Sequence, residues 1–461
     1  MWNGKRPFRA PGSKVALTAV FITAGCSGLG GDDKDGFSAV EWMSINAMAP
    51  MATAMPSNPC NNRADDMEVA KFGQKLFFET GYAEPLTADS LTGKKGEVGK
   101  VGCVTCHDPA AYFVDSRMDP ATGQRVTMSP GRGAANPGGR QVPMMLNEGW
   151  YEWIGWTGRN DSLVMHGSGV MGTGGTRLFI AHFLYKAHKD EYNKLFPSTP
   201  LDPALDPMAP DAARFPPSGQ PKAAPTAAMP MPADGPWEMM TAADQKIVNQ
   251  IMYNMGRVWD TYPRMVTSHE SPFEKYTKGD YSALTPEAKR GLKVFINKAA
   301  CNDCHTGPIL SDSKFHNIGV PTAPGVMTAD LGRYADIMGN ATRNNIFNAA
   351  GVFSDDQAAG AAKIATIPTP DMADESMKGT FRTPSILNAE KTFPYFHTGQ
   401  FRTLEEVVEH YNKGGDQDGT FAGTLDPKIK PLMLTDGEKK DLVEFLKSLT
   451  GVIDPTWTSP I

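Results

Sequence analysis

The chain has 461 residues, enough for two or three domains with cores of their own. Its 45 Lys and Arg against 51 Asp and Glu give a formal net charge of −6, which excludes the basic footprint of a nucleic-acid partner. There are six cysteines, Cys26, Cys60, Cys103, Cys106, Cys301 and Cys304, and the last four fall in two short runs of one pattern.

In chain order, Lys5, Arg6, Arg9 and Lys14 precede the apolar stretch VALTAVFIT (15–23) and then AGC (24–26). The apolar run is far below the ~20 residues of a membrane-spanning helix, so residues 1–25 read as an export signal. Cys26, directly after small residues, reads as a lipoprotein-type first residue that anchors the mature chain to the membrane. Ordinary cleavage nearby is the alternative, and both export the chain to the periplasmic side. Cys60 is left without an obvious partner. Residues 26–63 show no sustained periodicity and read as a tether. MEVAKFGQKLFFE (67–79) puts Val69, Phe72, Leu76 and Phe77 on one helical face. The proline-rich stretch 197–236 suits neither helix nor sheet and reads as a surface excursion or linker. A helix is predicted from Thr241, with Asp244 as its capping partner and a buried face of Ile247, Val248, Ile251, Met252, Met255, Val258 and Trp259. Thr285 and Pro286 open another, which carries Leu292 and Phe295. TLEE (403–406) and TDGE (435–438) are capping boxes, and the last helix is expected to end near Gly451.

CVTCHDP (103–109) and CNDCHTG (301–307) share a Cys-x-x-Cys-His spacing. In such runs the two thiols add to the haem vinyl groups and the next histidine takes an axial iron position. A four-cysteine zinc site is the competing reading. Export and the histidine in each run favour two covalent haem c groups, with His107 and His305 as proximal ligands. The halves echo each other: KFGQKLFF precedes the first run and KRGLKVFI the second.

From about residue 66 to 452 the chain resembles the bacterial di-haem cytochrome c peroxidase and MauG family. The likeness is carried by KFGQKLFF with CVTCHDPAAYFVD, by VPMMLNEGWYEWIGWTGRNDSL, by LTPEAKRGLKVFINKAACNDCHTGPILSDSKFHNIGV and by FRTPSILNAEKTFPYFHTGQFRTLEEVVEHYNKGG. It implies peroxide chemistry at the N-terminal haem and electron transfer at the C-terminal haem, with a tryptophan between them at Trp156. It also implies a sixth ligand for the C-terminal haem at Tyr411, where MauG-like enzymes carry Tyr and reductively activated peroxidases carry Met. A phenolate is a hard anionic donor that stabilises ferric iron and lowers its potential. A calcium ion between the domains would map to Gln141, Thr392 and Pro394. The stretch from Asp108 to Met165 holds no histidine, so the first haem is expected open at rest unless Met128 steps in.

The distal region departs from the family. Its glutamate position falls on Thr176, no Asp or Glu occurs between Asp161 and Asp190, and its glutamine position falls on His166. LVMHGSGVMGTGGTRLF (163–179) therefore offers His166 as distal base and Arg177 to stabilise the departing oxygen's charge. Direct iron ligation by His166 is the alternative. His316 and His397 are expected to border the C-terminal haem.

These readings combine into a mainly α chain of two cytochrome c-like haem domains, 64–240 and 241–453. The expected activity is that of a di-haem peroxidase or MauG-like oxidase, taking hydrogen peroxide and working with an electron donor or protein substrate in the periplasm. A di-haem oxygenase using dioxygen and a non-catalytic di-haem electron carrier are the rivals.

Overall fold

Helix starts in this chain are set by side chains that take up orphan backbone N–H groups. The computed structural model describes residues 34–50, 54–135, 139–223 and 231–461, so the export signal and Cys26 lie outside the described residues. Twelve α-helices occur among them. They are α1 (Ala39–Ala47), α2 (Met67–Phe78), α3 (Cys103–Cys106), α4 (Leu163–Val170), α5 (Arg177–Leu195), α6 (Ala242–Met265), α7 (Pro272–Thr277), α8 (Pro286–Ile296), α9 (Arg333–Met338), α10 (Gln357–Ala365), α11 (Leu404–Lys413) and α12 (Asp436–Lys447). Thr241 caps α6 and Thr285 caps α8, while Thr403 and Thr435 form full capping boxes with Glu406 and Glu438. Strands are minimal: β1 (Met118–Asp119) pairs with β2 (Gln124–Arg125), β3 (Ser268–His269) with β6 (Val452–Ile453), and β4 (Phe315–His316) with β5 (Phe381–Arg382). Among the described residues no helix is long and apolar enough to cross a membrane.

The echoed motifs before the two cysteine runs do the same job. An ideal Cβ on Gly73 of α2 would lie 2.6 Å from Tyr262 Cβ and 2.9 Å from the Val258 carbonyl oxygen of α6. On Gly291 of α8 it would lie 1.9 Å from the Asp441 carbonyl oxygen and 2.9 Å from Phe445 Cβ of α12. Each half therefore crosses two helices at a glycine, where only a missing side chain lets the backbones approach. This corrects the expected division at residue 240. The apolar face of α6 packs on α2, α4 and α5, so the helix completes the first half instead of opening the second. Periodicity marks a buried face but not the partner that buries it.

Three other expectations change. Part of the expected tether is built in: α1 packs on α8 with Ile45 and Met48 in the second core, and Cys60 is buried in the first, where Tyr253 Oη donates to its carbonyl oxygen at 3.1 Å. The proline-rich excursion is held down through buried Leu201, Leu205 and Phe215. The last helix stops at Lys447, and Gly451 instead donates its N–H to Asn388 Oδ1 at 2.9 Å, leading into β6.

The halves meet around Ser268. Asn147 and Asn388 both adopt left-handed backbone (φ 63 and 62), and both side-chain amides donate to Ser268 Oγ, at 3.3 and 2.8 Å. Each is followed by a 3₁₀ turn, Glu148–Trp150 or Ala389–Lys391, and then a hairpin closed by a bridge, Ile154 to Asn160 or Tyr395 to Phe401. The repeat thus extends well past the cysteine runs. Glu148 is 6% exposed, Oε2 has no hydrogen-bond partner among the described residues, and burial pushes its carboxyl from 4.5 up to about 8 despite Arg382 nearby.

Two outcomes follow. Gly291→Ala is expected to cost about 2 kcal/mol or more in thermal unfolding, since the carbonyl it meets is main chain. Arg290→Ala, which removes an exposed ion pair to Asp441, should leave the unfolding midpoint nearly unchanged. Folded Glu148 keeps its proton up to about pH 8, whereas the unfolded chain releases it near 4.5. Its contribution is therefore complete below pH 4.5 and lost as pH rises to about 8. Glu148→Gln should gain in unfolding midpoint over the parent between pH 5 and 8, with the difference level above that. A difference independent of pH would contradict the buried neutral acid.

Candidate functional site

Each cysteine run ends in a histidine held by its own loop. His107 Nδ1 donates to the Phe113 carbonyl oxygen at 2.9 Å, and His305 Nδ1 to that of Leu310 at 3.0 Å. The loops turn back through left-handed residues: Tyr112 and Phe113 (φ 57 and 59) in one, Leu310 (φ 51) in the other. A carbonyl only accepts, so each Nδ1 carries the proton and each Nε2 offers a lone pair to a metal. Burial pushes the Cys103 and Cys301 thiols up to about 12. The cysteine pairs also lie in separate halves, so a four-cysteine site does not form. The residues fit two covalent haems.

The second histidine opens onto a largely apolar cavity lined by Cys301, Cys304, His305, Trp156, His397 and Tyr411. The Tyr411 hydroxyl has no hydrogen-bond partner among the described residues, and burial holds the phenol far above its ordinary range. It ionises there only opposite a cation, which ferric iron would provide. His316 also lines the cavity. It lies 3.0 Å from Asp312 and 2.6 Å from Asp426, and Asp312 first, then Cys304 and Asp426, raise it to about 11. Both ring nitrogens are engaged by carboxylates, an arrangement that favours the imidazolium.

In the first half α4 faces the corresponding site. The same number of residues that leads from Asn388 to Tyr411 leads from Asn147 to Val170. Val170 packs against the cluster that includes Cys103 and Val104. An alkyl side chain therefore stands where the second half presents a phenol. One turn earlier, His166 lies near enough to His107 to feel its charge, and burial first, then that charge, lower it to about 4. The Asn160 amide Nδ2 donates to His166 Nδ1 at 3.1 Å, which leaves the proton of the neutral ring on Nε2. In that tautomer Nε2 of His166 is a donor, the reverse of His107 and His305.

Asn160 closes the hairpin that carries Trp156. Trp156 Nε1 donates to the Gln141 carbonyl at 2.7 Å, and its ring meets His397 edge-on at 6.3 Å. One short hairpin so links the His166 pocket to the second cavity. Trp156 and His397 occupy equivalent places in the two repeats.

Arg177 is not brought to His166. It donates to Asn249 Oδ1 at 2.6 Å and lies over the rings of Trp237 and Phe347, so its charge is spent in the first core. The carboxylate that the sequence lacks at position 176 arrives from elsewhere: Glu84 accepts from Thr176 N at 3.2 Å, Thr176 Oγ1 at 2.9 Å and Ser218 Oγ at 2.5 Å, and pairs with Arg132 at 2.8 Å. It pins the glycine-rich loop. A sequence count along one segment cannot find it. Met128 is buried in a loop that touches Gly399 of the second half.

Gln141, Thr392 and Pro394 line one wall of the second cavity. They supply neutral oxygens alone, and the Gln141 carbonyl already accepts from Trp156. Arg125 Nη1 meanwhile donates to the carbonyls of Lys391 and Phe393, both at 3.2 Å. Calcium takes ~6–8 oxygens, waters among them, so these three residues would supply part of such a shell beside the Arg125 guanidinium.

A family model described as di-haem cytochrome c peroxidase matches residues 67–199. The cytochrome-c peroxidase IdrP2 of Denitromonas iodatirespirans is 27% identical over 403 residues, 86% of this chain and 86% of that one. The methylamine utilization protein MauG of Methylorubrum extorquens is 27% identical over 376 residues, 80% of each. The solved diheme peroxidase BthA of Burkholderia thailandensis shares the fold, with a TM-score of 0.53 at 17% identity over 89% of this chain and 92% of that one. With two Cys-x-x-Cys-His runs on a helical frame, the chain is similar to the di-haem cytochrome c peroxidase and MauG family over most of its length, and these relatives support an enzyme of that kind, a di-haem peroxidase or MauG-like oxidase.

Proposed function

We propose a MauG-like oxidase of two cytochrome c-like haem units, in which hydrogen peroxide reacts at the first haem and oxidising equivalents pass through Trp156 to the second. The observation that carries this reading is the unequal pair Val170 and Tyr411, an alkyl group in one half and a phenol in the other at the same step of the repeat. When bound, each haem iron supplies redox change, and reduction of peroxide to two waters takes two electrons and two protons. The rest falls to side chains. His107 and His305 hold the irons through Nε2. His166 Nε2–H hydrogen-bonds the bound oxidant and stabilises charge as the O–O bond parts. Trp156, between His397 and the Asn160 hairpin, is the aromatic bridge. Tyr411 would hold the second haem and favour its ferric form, with an electron donor or another molecule as the reductant. The leader of residues 1–25 supports export to the periplasmic side, with Cys26 as the lipid anchor.

Mixing the ferric protein with peroxide tests this. The first-haem signal should disappear rapidly, and His166→Ala should slow that step by about 10²-fold. Tyr411→Met should leave the step itself nearly unchanged while altering the second-haem spectrum. Spectra indifferent to peroxide would turn the reading to an electron carrier, and dioxygen uptake without peroxide to an oxygenase.

A further inference from the structure

The matched helix crossings identify a residue that the reading above leaves unused. Gly73 meets Val258 and Tyr262 as Gly291 meets Asp441 and Phe445. In that register Phe77 corresponds to Phe295 and Trp259 to Leu442, and both Phe295 and Leu442 line the second cavity. Trp259 therefore occupies a haem-facing position of the first half, and there it adds an N–H that leucine lacks.

Its surroundings agree. Trp259 is 7% exposed, and Nε1 has no hydrogen-bond partner among the described residues. The ring stacks on Phe77 at 6.3 Å and lies 6.2 Å from the His166 ring. It shares a cluster with Cys103 and Val104. An ideal Cβ on Gly167 of α4 would stand 2.3 Å from Trp259 Cβ, so α4 carries a glycine to admit the indole. The helix bearing His166 and Val170 thus holds Trp259 on its own side of the site. A buried donor without an acceptor is costly and rare. Beside a site that receives a ligand, it becomes a fixed dipole awaiting lone pairs.

We propose that Trp259 Nε1–H acts with His166 Nε2–H as a pair of donors to an oxygen or small anion on the open face of the first haem. This rests on the reading of that face as open. Two N–H donors on rings 6.2 Å apart select a ligand rich in lone pairs, so peroxide oxygen and halide anions are the class expected.

Fluoride is the probe, since it binds ferric haem and accepts hydrogen bonds without any turnover. The ferric holoprotein should bind fluoride at one of its two haems, read from the charge-transfer band. Trp259→Phe should keep two haems per chain, weaken fluoride binding about tenfold and shift that band. If the phenylalanine variant fails to retain haem, Trp259→Leu, the residue of the second half at this place, serves instead. Equal fluoride affinity and an unmoved band in a haem-replete variant would overturn the donor role while leaving the open face standing. No fluoride binding by the parent protein would overturn both.

Discussion

One hydrogen bond, made twice, underlies the arrangement: the Nδ1–H of a proximal histidine to a carbonyl in its own return loop. It fixes the tautomer, the ring plane and the direction of Nε2 before any metal arrives. To turn those carbonyls inward, Tyr112, Phe113 and Leu310 take left-handed backbone, which costs ~1 kcal/mol or more for each such residue. The cysteines four and one positions before each histidine would hold the porphyrin edge against the same ring. His166 shows the logic in reverse, because the amide of Asn160 leaves its proton on Nε2 and makes it a donor where the others offer a lone pair.

Duplication followed by divergence at a few positions turns one unit into two. The glycine crossings, the left-handed asparagines gathered on Ser268 and the bridge-closed hairpins are common to both halves. The differences are chemical. Tyr411 stands against Val170, Trp259 against Leu442, and Trp156 against His397, where the two copies touch at 6.3 Å. A shared frame places these side chains reproducibly, so single substitutions along it suffice to give one pocket a phenol oxygen and the other a pair of N–H donors.

Much of this was legible in the residues. The cysteine spacing, the helices of residues 67–78 and 286–296 and the paired capping boxes follow from local chemistry that tertiary context does not override. What was not legible depends on contacts remote in sequence. The buried face of α6 is written in its periodicity, but its partner α2 is not, and so the division between halves was misplaced. Glu84 reaches Thr176 from the far side of the first cysteine run, and Arg177 finds its rings at Trp237 and Phe347. The second repeat signal, from each Leu-Asn pair onward to Val170 and Tyr411, was present in the sequence. It was obscured because the side chains it aligns differ in chemical type, and the common backbone, with φ 63 and 62 at the two asparagines, brings it out.

Quantitative electron paramagnetic resonance of the fully ferric protein, beside haem counting, tests the central claim of unequal irons most directly. Two haems per chain should give two distinct ferric species in equal amounts, one altered by Tyr411→Phe alone and the other untouched by that change. Two indistinguishable species, or a pair of signals that both ignore Tyr411→Phe, would contradict it.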